Sequence, residues 1–264
     1  MSTLVAIWIV RESARPIADQ LARALGAIVL PERKNTPDTS SSNREQFEFL
    51  FPQHHQWILL MASGIATRYL SGLPRDKHTD PAVVVLDEAL RFAIPVLCGH
   101  EGGANILAYK IASLTGATPV ITTATEALKP LTVGIGCRKG MSAARIDEAV
   151  QRSLHRANMS LGQIRELATV DIKASEPGLV EWAETHNLPL RVFSSAQLAQ
   201  RPLTATPSDW VRHNVGLAGV CEPCALLASP RGQLILPKLA TAGVTVAIVS
   251  DSLPHTHFDP CQAN

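Results

Sequence analysis

Residues 81–88 read PAVVVLDE, a run with no polar side chain between Pro81 and Asp87. A strand with one wet face alternates polar and apolar residues. An unbroken β-branched run therefore belongs to a strand covered on both faces, and a sheet held between two layers of helices supplies that cover. The neighbouring segments fit the same plan. LVAIWIV (4–10), AIVL (27–30), QWILLMASG (56–64), FAIPVLCG (92–99) and PVITT (119–123) read as strands or strands running into loops. ARPIADQLARALG (14–26) has apolar residues at helical spacing and closes on Gly26 as a C-cap. ANILAYKIASLTG (104–116) puts Leu107, Ile111 and Leu114 on one helical face. The polar, turn-rich PERKNTPDTSSSN (31–43) is a loop.

At TEALKPL (125–131) the chain becomes a short polar connector containing Pro130, which sets a boundary near residues 126–130 and domains of 1–128 and 129–264. In the second half, TVGIG, LATVDI, LRVF, QLIL and VTVAIV read as strands, and AARIDEAVQRSLHRA and EPGLVEWAETHN as helices. The expected class is α/β: two three-layer domains, each a mostly parallel sheet flanked by helices. With 18% charged residues and a net charge of +1, the chain has no general attraction to nucleic acid or to an anionic membrane. The apolar start is too short to span a bilayer and lacks signal-peptide flanks, so a cytoplasmic protein is expected. Five scattered cysteines fit reduced thiols rather than a disulfide framework.

In open α/β sheets, ligands gather beyond the carboxyl ends of strands, where helix N-termini present backbone N–H groups. Three corners carry suitable residues. In LCGHEGGANILAYKIA (97–112), His100 and Glu101 stand ahead of Gly102 and Gly103, which let a ligand approach the main chain, with Asn105 near the helix start. A His beside a carboxylate suits general acid–base work near neutral pH, although hydrogen bonding alone and simple turn-making are the plainer roles for these residues. In MASGIATR, Ser63 and Gly64 end a strand and Arg68 lies one turn into a helix; the G-x-S-x-G elbow of a serine hydrolase is missing. In TVGIGCRKGMS, Gly134, Gly136 and Gly140 precede a helix capped by Ser142. That spacing departs from the dinucleotide fingerprint, whereas Arg138 and Lys139 suit carboxylates or phosphates if they are more than a solvated turn.

The remaining polar features carry less. CEPC (221–224) has no redox context and no second pair for zinc, so Cys221 and Cys224 read as small buried residues. HTHFDPC (255–261) reads as a disordered end. In DIKASEPGL, Asp171, Lys173 and Glu176 either line a cleft or, for Glu176, favour a helix N-terminus.

Taken together and in order, these motifs resemble the cobalt-precorrin-5A hydrolases of anaerobic cobalamin biosynthesis. The resemblance runs through ASGIATR, residues 75–112, PVITTATE, VGIGCRKG, LATVDIKASEPGL, LPLRVF, TPSDWV and GVCEPCALLAS. The second half is also similar to a small stand-alone family of the aerobic route. The longer hydrolases commonly carry a middle segment where this chain has only EALKPL, and small residues where it has Cys221 and Cys224.

The resemblance implies an enzyme that opens the δ-lactone of a ring-contracted cobalt tetrapyrrole and releases acetaldehyde. Cobalt arrives inside the substrate, so neither a cofactor nor a protein metal site is required. Set on the matching positions, that chemistry gives proton transfer to His100 or Glu101 and oxyanion stabilisation to N–H groups of residues 102–105. The acetate and propionate arms of the substrate would meet Arg68, Lys77, Arg138 and Lys139, with Ser63, Gly64, Gly136 and Gly140 completing the binding set. Transient contact with methyltransferases of the pathway is expected. A corrinoid carrier without turnover and a nucleotide-dependent enzyme built on GIGCRKG are the rival classes.

Overall fold

The computed structural model describes residues 5–32, 42–200 and 220–251, so TPSDWV, HTHFDPC and most of the polar loop after Pro31 lie outside the described residues. The chain divides into two compact units, Met1–Ala127 and Leu128–Asn264. Among the described residues, no helix is long and apolar enough to cross a membrane.

The first unit runs β1 (Val5–Ile9), α1 (Arg15–Leu25), β2 (Ile28–Leu30), α2 (Asn43–Leu50), β3 (Gln56–Leu60), α3 (Ser63–Leu70), β4 (Ala82–Leu86), β5 (Phe92–Leu97), α4 (Ala104–Thr115), β6 (Thr118–Pro119) and α5 (Ala124–Ala127). Its sheet has the order β2-β1-β3-β4-β5-β6. Alternate side chains of each strand feed opposite faces. Ile7, Ile58 and Val84 pack with Ala18 and Leu21 of α1 and Leu107 and Ile111 of α4. On the other face, Trp8 and Trp57 pack with Phe47 of α2 and Ala66 of α3. The Phe47 ring sits edge-on to Trp8 at 5.2 Å and to Trp57 at 5.0 Å. Helix α2, absent from the sequence reading, starts with a capping box in which Ser42 and Glu45 satisfy each other's backbone N–H groups.

All the neighbouring strands here are parallel except β4 and β5, which pair antiparallel with Val83 opposite Leu97 and Leu86 opposite Ala93. Only residues 87–91 join them. A parallel partner would need a crossover of a dozen residues or more, so the short link dictates a hairpin. Asp87 builds its turn, with its Oδ1 accepting the N–H groups of Arg91 (2.7 Å) and Phe92 (2.8 Å) and its carbonyl accepting that of Leu90. Two smaller expectations also change. Leu114, in the last turn of α4, is half exposed. PVITT pairs only at its first residues, since β6 ends at Pro119 and the chain then leaves the sheet.

The second unit runs β7 (Leu131–Cys137), α6 (Ala143–Arg156), β8 (Ile164–Val170), α7 (Pro177–Thr185), β9 (Leu190–Phe193), α8 (Ser195–Gln200), α9 (Cys221–Ala228), β10 (Gln233–Thr241) and β11 (Val244–Ser250). The sheet order is β10-β11-β7-β8-β9. Strands β7, β8 and β9 are parallel, while β11 pairs antiparallel with both β7 and β10. This sheet is thus evenly mixed, and the two-residue turn at Ala242 and Gly243, which leaves no room for a crossover, makes β10 and β11 a hairpin. Helices α6 and α7 bury Ile146, Val150, Leu179 and Trp182 against one face. Cys224 and Ala228 of α9 pack on the other, so each unit has three layers.

The approach of α9 to the sheet is set at Gly134. A Cβ there would lie 1.8 Å from the carbonyl oxygen of Cys221, whereas one at Gly64, inside α3, meets nothing within 4 Å. Overpacking of a core commonly costs ~1–3 kcal/mol, and a backbone obstacle yields less than a side chain does. Gly134→Ala should therefore cost about 3 kcal/mol or more in urea unfolding, while Gly64→Ala adds up to ~1 kcal/mol through helix propensity. Equal shifts of the two midpoints would refute this account.

Candidate functional site

Because β5 runs antiparallel to β4, the corner that follows it lies beside the start of β4. This reverses the placement expected from sequence. Ser63, Gly64 and Arg68 follow β3 at the carboxyl edge of the parallel strands, whereas His100, Glu101, Gly102, Gly103 and Asn105 lie at the amino edge. The five-residue β3 separates the two edges by roughly 16 Å. The structure does not bring Ser63, Gly64 and Arg68 to the His100 corner.

The corner is closed by its own backbone. Cys98, at φ 52°, turns the chain so that its carbonyl accepts the N–H groups of Gly102 (3.1 Å) and Ala104 (3.2 Å), while Gly99 O accepts that of Asn105 (2.9 Å). A Cβ on Gly102 would lie 2.5 Å from that of Cys98, and Gly103 takes φ +83° as it enters α4. The glycines let the loop pack on itself. The N–H groups of Gly102, Ala104 and Asn105, three of the four residues 102–105 expected to face an oxyanion, are already donated within it.

The side chains assemble differently as well. His100 Nδ1 lies 2.9 Å from Glu126 Oε1, with the imidazole half exposed and the carboxylate 12% exposed. The hydroxyls of Thr123 and Thr125 donate to Glu126 Oε2. Asn105 Nδ2 donates to Thr123 Oγ1 at 2.8 Å and to Glu126 Oε2 at 3.4 Å. Burial pushes the Glu126 carboxyl up, but hydrogen bonds from Thr123, Thr125 and His100 outweigh it and hold the group below the usual carboxylate range. An ionised carboxylate accepts only, so the network places a proton on Nδ1 of His100, and in the neutral imidazole Nε2 is then the acceptor. This is the arrangement in which a buried carboxylate orients a histidine for proton transfer.

Glu101, which the sequence set beside His100, turns to Lys77 instead at 2.8 Å. The Lys77 hydrogen bond holds its carboxyl below the ordinary range and raises the lysine in return. Lys77 reaches this corner already paired. Glu126 was missed as a site residue, although Thr-x-x-Glu before a short helix is a capping-box spacing. Here Glu126 N–H bonds Thr123 O while the carboxylate turns to the hydroxyls.

In the second unit, a cavity of about 420 Å³ opens at the carboxyl ends of β7 and β8, with Gly136, Arg138, Val170, Lys173 and Val244 among its walls. A Cβ on Gly136 would press on Thr245 Oγ1 at 2.8 Å. Gly140 N–H donates to Glu176, the buried N-cap residue of α7, so Glu176 is spent within the fold. Lys139 and Gly140 form the exposed turn beyond Arg138. Ser142 occupies the N-cap position of α6 without a side-chain cap bond. Cys221 and Cys224 are fully buried free thiols pushed up by burial, as an inert CEPC requires.

Two outcomes test the histidine–carboxylate network. Nitrogen NMR should find His100 as the Nδ1-protonated tautomer, giving way to a tautomer mixture in Glu126→Gln; an unchanged tautomer would remove Glu126 from its role. The depressed carboxyl stabilises the fold fully above its unfolded pKa of about 4.3 and loses that contribution as pH falls through the lower folded value. Acid unfolding below about pH 4.3 should accordingly be less steep in Glu126→Gln than in the wild type.

Comparison with known proteins adds a second line of argument. Residues 45–126 match the family model described as Cobalamin synthesis G N-terminal, and residues 131–249 match Cobalamin synthesis G C-terminus. The chain is 24% identical over 315 residues to the cobalt-precorrin-5A hydrolase of Priestia megaterium, covering 82% of this chain and 84% of that protein. It is 26% identical over 290 residues to the cobalt-precorrin-5A hydrolase of Salmonella typhimurium, covering 75% and 82%. Both alignments exceed the 264 residues of this chain, so these relatives hold residues opposite gaps in it. Over 126 residues it is 31% identical to Protein CobE of Sinorhizobium sp, covering 47% of this chain and 82% of that protein. The two matched regions adjoin across the division between the units, in the order of their names, and the chain belongs to the cobalamin synthesis G family.

Proposed function

We propose that this protein acts in cobalamin biosynthesis as a cobalt-precorrin-5A hydrolase. Two relatives of that name, aligned over most of both chains, support the reading. The observation that carries the chemistry on this chain is the His100–Glu126 pair, with Nε2 left to accept a proton at an exposed corner. Cobalt belongs to the substrate.

The reaction consumes one water. His100 Nε2 takes a proton from it as its oxygen adds to the lactone carbonyl, and returns that proton to the ester oxygen as the C–O bond breaks, leaving a carboxylic acid that ionises to solvent and a hydroxyl-bearing carbon. Neutral again, Nε2 removes the hydroxyl proton, and the oxygen's electron pair forms the aldehyde C=O. The carbon–carbon bond to the macrocycle breaks, its electron pair passes to the conjugated corrinoid, and acetaldehyde leaves. Glu126 stays ionised throughout and positions the imidazole. Lys77 serves by holding Glu101 at the His100 corner, while Arg68 of the first unit and Arg138 and Lys139 of the second are exposed cations of the kind that bind carboxylates.

The test is turnover of enzymatically generated cobalt-precorrin-5A, with acetaldehyde trapped and the opened corrinoid followed by mass spectrometry. His100→Ala should lose about 10²–10⁴-fold and Glu126→Gln about tenfold or more. The gapped alignments favour a carrier as the competing reading. Substrate bound without acetaldehyde release by the wild type would establish that reading in place of the hydrolase.

A further inference from the structure

A second cavity, of about 360 Å³, lies in the first unit at the amino edge of β3 and β4. Phe51, Pro52, Leu73 and Pro81 form its apolar wall, and Arg75, His54, His55 and Thr79 bring polar groups to it. Among the described residues, the side chains of Arg75, His54 and His55 make no hydrogen bond or ion pair; His54 meets the edge of Trp57 at 5.0 Å, and burial and then the neighbouring His55 hold its imidazole below the ordinary range. Both acids of the lining take part in the fold, Asp80 through Oδ2 alone. Glu48 pairs with Arg44 at 2.7 Å, and Asp80 accepts the backbone N–H groups of Arg75 and Asp76 at 2.6 and 2.9 Å. A planar guanidinium, two imidazoles and a hydroxyl are thus left unanswered beside an apolar wall. That combination matches an organic carboxylate better than a fully hydrated inorganic anion.

The position adds a connection. Arg75 and Thr79 line the cavity, while Lys77, between them on the same loop, reaches Glu101 at the His100 corner. His55 O accepts the N–H of Ala82, tying the far wall to the start of β4. We propose that this cavity is a carboxylate-binding site that receives one acetate or propionate arm of the substrate, an assignment resting on the function proposed above. The volume holds an arm rather than a macrocycle. The arm would anchor the ring while Nε2 of His100 works at the lactone.

The full-length chain, with labelled histidines, is titrated with glutarate and separately with inorganic phosphate, and KM for cobalt-precorrin-5A is measured in parallel. Glutarate should shift the His54 and His55 resonances in the wild type, phosphate should shift them less, and Arg75→Ala should abolish the response while Arg75→Lys retains part of it. In turnover, Arg75→Ala should raise KM at least tenfold, with the larger part of the loss in KM rather than kcat. Absence of the glutarate response, its persistence in Arg75→Ala, or an equal response to phosphate overturns the carboxylate site. An unchanged KM overturns the substrate arm. If no variant nor the wild type turns over while the Arg75-dependent glutarate response is seen, the site stands and the hydrolase reading falls.

Discussion

The antiparallel pairing of β4 with β5 is the constraint from which the first unit's chemistry follows. Asp87 gathers two backbone N–H groups and fixes a five-residue turn, and that turn sends β5 back along β4. Its far end delivers His100 to the amino edge of the sheet. Strand β6 runs parallel to β5, so the chain leaving it travels the same way and carries Thr123, Thr125 and Glu126 to the imidazole. A parallel β5 would have sent His100 to the other edge, away from the carboxylate.

Much of the fold is legible in the sequence, because strand-forming runs and helical spacing are local properties. PAVVVLDE, TVGIG and the helix with Leu107 and Ile111 declare themselves within a few residues. The hairpin was legible too, since five residues between two strands exclude a crossover. It shows only when the two strands and the link between them are taken together, not strand by strand. The site was only half legible. His100, Asn105 and the glycines stand together in one motif, but Glu126 is 26 positions away and becomes a neighbour only through the order of β5 and β6. Its short helix made it look like part of a connector.

The glycines show how one residue type answers different demands. The GHEGG and GIG patterns suggest a cradle for ligand oxygens, since glycine admits close approach. Here the approaching groups belong to the chain itself: Cys98 at Gly102 and Cys221 at Gly134. The same logic separates the cations. Lys77 is matched by Glu101 and Arg165 by Asp251, so neither offers a free charge, whereas Arg75 has no such partner. Which positive groups a charged ligand can use depends on which carboxylates the fold has already placed, not on a count of basic residues.

The four described cysteines follow the division of the chain. Cys98 is buried beneath the loop that carries His100, and Cys137, Cys221 and Cys224 are buried in the second unit. Burial holds each thiol up, away from the reactive thiolate, so a thiol reagent must wait for the surrounding structure to open. Labelling rates at Cys98 and at the other three thus act as internal clocks for two separate openings, and a single preparation of unmodified protein reveals whether its halves breathe together or apart.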